Sequence, residues 1–163
     1  RDVVIHPNVV FGQNVIIETS VEIKSFSHLE KCKVKSGSII GPFARIRENS
    51  VIGKNSKIGN FVEIKKSKLS EHVKVNHLSY VGDSEVGSSS NIGAGTITCN
   101  YDGKNKHKTK IGKNSFVGSN STIIAPINIG KNVTMGAGST FNKNIPNNTL
   151  SIGRAYQINK KKK

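Results

Sequence analysis

Hydrophobic positions recur along this chain with a period of six. That is neither the 3.6-residue period of a helix nor the strict alternation of an isolated strand. From Phe11 onward, each short unit opens on an aliphatic residue, often followed by Gly. A small or β-branched residue usually stands four places later. Ile52-Gly-Lys-Asn-Ser-Lys, Ile58-Gly-Asn-Phe-Val-Glu, Val75-Asn-His-Leu-Ser-Tyr and Val86-Gly-Ser-Ser-Ser-Asn are examples, and Ile111-Gly-Lys-Asn-Ser-Phe, Val117-Gly-Ser-Asn-Ser-Thr, Ile129-Gly-Lys-Asn-Val-Thr and Met135-Gly-Ala-Gly-Ser-Thr follow the same rule. Hexapeptide units of this kind predict an all-β chain wound as a parallel β-helix, with three short strands per triangular coil. The aliphatic residue fills the interior, the small residue packs beside it, and Gly tolerates the corner backbone.

Three units are one residue short: Leu29 to Lys33, Ile64 to Lys68 and Val81 to Glu85. If three units make a coil, coils begin near Phe11, Leu29, Ile46, Ile64 and Val81, and every short unit falls on the first face. Between Thr98 and Lys110 the rhythm stops, and it resumes at Ile111 with the same phase. The phase therefore predicts a projecting loop, 98–110, that leaves between a third face (Ile92 to Ile97) and the next first face. Stacking coils at about 4.8 Å sets Arg47 beside Lys65, His77 beside Ala94, and Asn60 one coil below His77. Tyr80 closes the same third face. The expectation is that two cations, one His, one Tyr and the loop root share one edge. Like charges stacked outward repel unless an anion joins them, and a phosphate suits an Arg fork and a Lys point charge. Splaying into solvent is the alternative.

Composition narrows the class. A chain of 163 residues can bury one sizeable core. No apolar run is long enough to cross a bilayer, so no membrane insertion is expected, and no signal peptide is evident. The first residue is Arg, so the chain reads as part of a longer one. Cys32 and Cys99 are too few for a disulfide framework, which reads as free thiols and a cytoplasmic setting. The formal net charge is +15, and removing the four-lysine run Lys160 to Lys163 leaves 15 − 4 = +11. The remaining lysines are scattered through the repeat, not clustered with aromatics as in a single-strand binder, so they read as a solubilising coat and no nucleic acid is expected.

The loop stretch Asn91-Ile-Gly-Ala-Gly-Thr-Ile-Thr-Cys-Asn-Tyr-Asp-Gly103 closely resembles the acetyltransferase domain of bacterial bifunctional N-acetylglucosamine-1-phosphate uridyltransferase/glucosamine-1-phosphate acetyltransferase. So do Gly41-Pro-Phe-Ala-Arg-Ile-Arg47, Gly59-Asn-Phe-Val-Glu-Ile-Lys-Lys66, His77-Leu-Ser-Tyr-Val-Gly-Asp83 and Phe116-Val-Gly-Ser119. The resemblance runs from about Arg1 to Arg154. It implies a left-handed β-helix over 1–154, a basic tail over 155–163, and a homotrimer with sites between subunits. The hand comes only from the resemblance. The implied reaction moves acetyl from acetyl-CoA to the amine of glucosamine 1-phosphate, feeding UDP-N-acetylglucosamine and cell-wall synthesis. His77 matches the general base. Arg47, Lys65, Tyr80, Asn91 and Lys106 match sugar-phosphate contacts. Ala94, Asn100, Tyr101, Ser119, Ala137 and Arg154 match acetyl-CoA contacts, with Asn100 orienting His77 and Ser119 near the thioester oxygen. The family's nucleotidyltransferase domain has no counterpart in this sequence, and the tail after Arg154 is shorter than the family's C-terminal arm.

Amine acetylation needs a free lone pair, and a His with a pKa of about 6.5 can take the proton at neutral pH. No metal is required, and neither cysteine has a base in sequence reach. His6, His28, His72 and His107 read as surface residues. Three other readings compete. One is a hexapeptide acyltransferase acting on another amino sugar. Another is a zinc β-helix carbonic anhydrase using His72 and His77. The third, a structural or ice-binding solenoid, would need a long flat Thr face that this sequence lacks.

Overall fold

The computed structural model describes residues 2–161. Arg1, Lys162 and Lys163, the last two from the expected tail, lie outside the described residues. The chain is a left-handed parallel β-helix; among the described residues there is no helix, and 24 short strands form three parallel sheets of eight, seven and nine strands. The eight-stranded sheet is the first face, the seven-stranded sheet the second and the nine-stranded sheet the third. The last strand is Leu150–Ser151, and residues 155–161 carry no regular structure.

The six-residue rule becomes an interior column on each face. Leu29, Ile46, Ile64 and Val81 stack on the first, Val34, Ile52, Leu69 and Val86 on the second, and Ile40, Ile58, Val75 and Ile92 on the third, all buried. Each such aliphatic side chain contributes about 1.5–3 kcal/mol through burial. The small residues of the motif are buried as well, and their hydroxyls explain why Ser is tolerated there. Ser38 Oγ donates to the Gly53 carbonyl (2.7 Å) and Ser56 Oγ to the Ser70 carbonyl (3.1 Å), while Ser56 Oγ accepts the Val73 N–H (3.1 Å). At these two positions one coil thus satisfies corner groups of the next, where a buried unpaired carbonyl would be costly.

One expectation about phase is corrected. Ile111 pairs with Val86 and Ile129 and so belongs to the second face, not the first. The first-face position of that coil is filled by Thr98, which pairs with Ile123. Thr98 is buried inside the prism, where its hydroxyl accepts the Gly82 N–H at 2.8 Å. A polar interior residue hid the strand Ile97–Cys99 from a pattern that looked for aliphatics. The loop therefore leaves the corner between first and second faces, one full face away from the corner expected.

Candidate active site

The structure distributes the candidate residues, Asn91 excepted, over the first face and its two flanking corners. At the corner between third and first faces runs a column. His77 ends the strand Lys74–His77 and pairs with Asn60 one coil away, as the spacing predicts. Ala94, Ser119 and Ala137 continue it, since the N–H groups of Gly95, Asn120 and Gly138 bond to the carbonyls of His77, Ala94 and Ser119 (3.3, 2.7 and 2.8 Å). Gly95 lies in the left-handed region, φ +72°, and an added Cβ would strike the Asn120 side chain. Arg154 lies against Gly138, beside the end of this column.

His77 is exposed, and its Nδ1 lies 2.9 Å from Asn60 Oδ1. An amide oxygen only accepts, so Nδ1 carries the proton and Nε2 presents its lone pair to solvent. The buried Ser79 hydroxyl holds the His77 carbonyl at 2.8 Å, anchoring the corner below the ring. Asn100 does not orient His77 within the chain. Its buried amide donates to Asp83 Oδ2 and reaches the Tyr80 hydroxyl at 3.4 Å.

Across the corner, the first face carries a charged network. Arg47 and Lys65 are register partners, as the spacing predicts. They are not an unbalanced pair, however. Arg47 meets Glu63 (3.1 Å) and Glu48 (3.3 Å), and Lys65 meets Asp83 (3.4 Å) and Glu48 (3.9 Å). Burial alone would lower the Arg47 pKa, but the Glu48 hydrogen bond and the Glu63 and Glu48 charges outweigh it and raise it above its ordinary value. Repulsion between the two cations therefore does not by itself demand a phosphate. The ion pairs lie at the corner between first and second faces, so the cations share that corner with the loop root, while His77 stands at the other. Tyr80 spans the ground between: it opens the strand Tyr80–Gly82, and its ring lies so close over Gly82 that a Cβ there would collide with it.

Glu48, Glu63 and Asp83 were not among the candidates. Glu63 and Asp83 lie inside the quoted motifs, but their roles as counter-charges depend on side-chain direction. Within the loop, Tyr101 and Lys106 form a β-bridge and the Lys106 ammonium stacks 4.2 Å from the Tyr101 ring centroid. Asp102 closes this hairpin by accepting from the N–H groups of Asn105 (2.7 Å) and Lys104 (2.8 Å) and by pairing with His107 Nε2 (2.6 Å). These bonds hold the Asp102 carboxyl well below the usual range. Asn91 is set apart: it opens the strand Asn91–Ile92, at the far end of the third face from Ala94.

Cys32 and Cys99 are free; Cys32 is buried, and burial pushes its thiol up to about 11, too high for a nucleophile at neutral pH. His72 and His77 flank opposite ends of one strand and cannot share an ion within the chain. Among the described residues no helix is long and apolar enough to cross a membrane.

Residues 30–102 match the family model of the GMPPB C-terminal domain, and residues 108–142 that of the hexapeptide repeat of succinyl-transferase. The chain is 54% identical over 160 residues to the bifunctional protein GlmU of Zymomonas mobilis, covering 98% of this chain and 36% of that protein. It is 51% identical over 160 residues to the bifunctional protein GlmU of Jannaschia sp., covering 98% and 35%. The chain thus spans about a third of the length of the curated relatives it matches. Among solved structures, the UDP-N-acetylglucosamine O-acyltransferase of Moraxella catarrhalis superposes with a TM-score of 0.60 at 18% identity over 87% of this chain and 62% of that one. The UDP-N-acetylglucosamine acyltransferase of Campylobacter jejuni gives 0.57 at 16% identity over 86% and 68%. At these identities the likeness establishes the fold alone.

Proposed function

We propose that this chain, 51% identical to a bifunctional protein GlmU over 98% of its own length and 35% of that protein, transfers acetyl from acetyl-CoA to the amine of glucosamine 1-phosphate. The product, N-acetylglucosamine 1-phosphate, would supply UDP-N-acetylglucosamine for cell-wall synthesis in the cytoplasm. The observation that carries the reading is His77: an imidazole with one nitrogen tied to Asn60 and the other free, at the foot of a column of small residues. Ala94, Ser119 and Ala137 carry short side chains along which the pantetheine arm can lie, with the Ser119 hydroxyl near the thioester oxygen. Arg154 at the column's end adds to the acetyl-CoA contacts, Tyr101 would reach them from the loop of a second copy, and Asn100 steadies Tyr80. Arg47 and Lys65 take the sugar phosphate, and Tyr80 the sugar.

In the reaction, His77 Nε2 accepts a proton from the substrate nitrogen as its lone pair attacks the thioester carbon. The tetrahedral intermediate collapses, the carbon–sulfur bond breaks and the CoA sulfur leaves with a proton. No metal takes part in this scheme. The substrate carries an ammonium as well as a phosphate, so a face with both cations and carboxylates suits it better than a purely basic patch.

Asn91 and Lys106 are assigned to the same substrate; Lys106 belongs to the loop rooted at the corner that holds Arg47, whereas Asn91 opens a third-face strand away from it. A second copy, its third face against this chain's first face, would bring Asn91 in, and the homotrimer that the resemblance implies would supply such a copy. The test is acetyl transfer by the purified chain across glucosamine 1-phosphate, glucosamine and nucleotide-linked amino sugars. Preference for glucosamine 1-phosphate is expected. Preference for a different amine would favour the related hexapeptide acyltransferase reading.

A further inference from the structure

The coil that carries Arg47 holds one more residue at the corner between first and second faces than the coil above it. Arg47 pairs with Lys65 and Val51 with Lys68, so four steps along one coil face three along the next. The surplus makes a turn of two consecutive left-handed residues, Glu48 (φ +43°) and Asn49 (φ +56°). Asn49 takes the ordinary corner position, its N–H bonding to the Lys31 carbonyl at 2.7 Å. Glu48 is left to project over the site.

Its carboxylate straddles the two cations: Oε1 lies 3.3 Å from Arg47 Nη2 and Oε2 3.9 Å from Lys65 Nζ. Two oxygens on one planar group thus stand where two oxygens of a phosphate would bridge the same pair. The three carboxylates of the network differ in exposure. The Asp83 side chain is 7% exposed and Glu63 30%, whereas Glu48 is 46% exposed. Asp83 and Glu63 are therefore structural partners that hold one cation each. Glu48 is the one with room to leave, because water can solvate it once it swings away.

We propose that Glu48 is a specificity-determining residue, a built-in counter-anion that occupies the Arg47–Lys65 pair in the free protein and is displaced by the substrate phosphate. This rests on the phosphate assignment made above. The consequence is discrimination against weak anions: only a ligand whose charge on these cations exceeds that of a carboxylate gains by entering. Phosphate meets that condition, and an unphosphorylated sugar does not. Affinity for the phosphorylated sugar is reduced in exchange.

The experiment compares wild type with Glu48→Gln, which keeps shape and removes charge, and with Glu48→Ala, which removes the reach as well. Melting curves confirm the fold of each. Inorganic phosphate is titrated into the full chain and followed by calorimetry, and KM is measured separately for glucosamine 1-phosphate and acetyl-CoA. Both variants should bind phosphate about 3- to 10-fold more tightly, the range that release of two partly exposed ion pairs allows. KM for glucosamine 1-phosphate should fall in parallel with little change for acetyl-CoA, and the gain should vanish in an Arg47→Ala background. Unchanged or weakened phosphate binding in folded variants would overturn the role of Glu48. If wild type yields no acetylated product yet Glu48→Gln tightens phosphate, the acetyl-transfer reading falls and Glu48 keeps its role. If product forms and neither affinity nor KM moves, only the Glu48 inference fails.

Discussion

Asp83 offers the sharpest test of how the site is held together. Its side chain is 7% exposed and pairs with Lys65 Nζ at 3.4 Å, while Lys65 itself is only 11% exposed. The same Oδ2 accepts from the Asn100 amide, and the Asp83 carbonyl accepts the Thr109 N–H at 3.3 Å where the loop returns. Asp83→Asn keeps the side-chain volume and tolerates the left-handed backbone, φ +47°. It removes the charge that compensates a nearly buried ammonium. Breaking a fully buried pair costs about 3–5 kcal/mol. Here Glu48 still faces Lys65 at 3.9 Å and Tyr80 still faces Asn100 at 3.4 Å, which offsets part of the loss. The expected cost is about 2–3 kcal/mol, a fall in Tm of about 5–10 °C for a chain of this size. The assay is thermal melting followed by circular dichroism, with Asp83→Asn/Lys65→Met as the reference. Removing the orphaned charge as well should recover much of the loss. In kinetics, Asp83→Asn should raise KM for glucosamine 1-phosphate more than for acetyl-CoA. A single variant that melts within about 1 °C of wild type would mean that Lys65 needs no buried partner, and the network reading would be wrong.

His77→Ala should lower turnover by roughly 10²- to 10⁴-fold with little change in melting, because the ring is exposed; an assembled variant that keeps most of its turnover at neutral pH would remove His77 from the mechanism. Cys32 should resist a thiol reagent at pH about 8 until denaturant is added, whereas Cys99, only partly buried, should react in the native state. The folded Cys32 thiol holds its proton to about pH 11, and an unfolded one loses it near about 8.5. Stability from this group is thus complete below about 8.5 and declines as pH rises toward the folded value, which melting of wild type against Cys32→Ala across that range would reveal. Light scattering should return a mass three times the 17.6 kDa of one chain, and a fully active monomer would refute the shared site.

Counting residues is enough to place the scaffold and much of the site, because in a parallel solenoid spacing along the chain becomes adjacency in space. Residues 17 or 18 apart lie one coil apart, so the Arg47–Lys65 and Asn60–His77 partnerships follow from counting. No long-range folding decision intervenes when each strand pairs with the coil before and after it. Tertiary structure alone decided what counting could not reach. A buried threonine at position 98 made a first-face strand invisible and shifted the loop to another corner, since a hydroxyl that finds hydrogen bonds can replace an aliphatic side chain inside. The direction of Glu48, Glu63 and Asp83 turned an apparently bare cation pair into a compensated network. Periodicity specifies which side of the wall a residue occupies; which neighbour its charge meets depends on rotamers, on corner geometry and on a single extra residue in one turn.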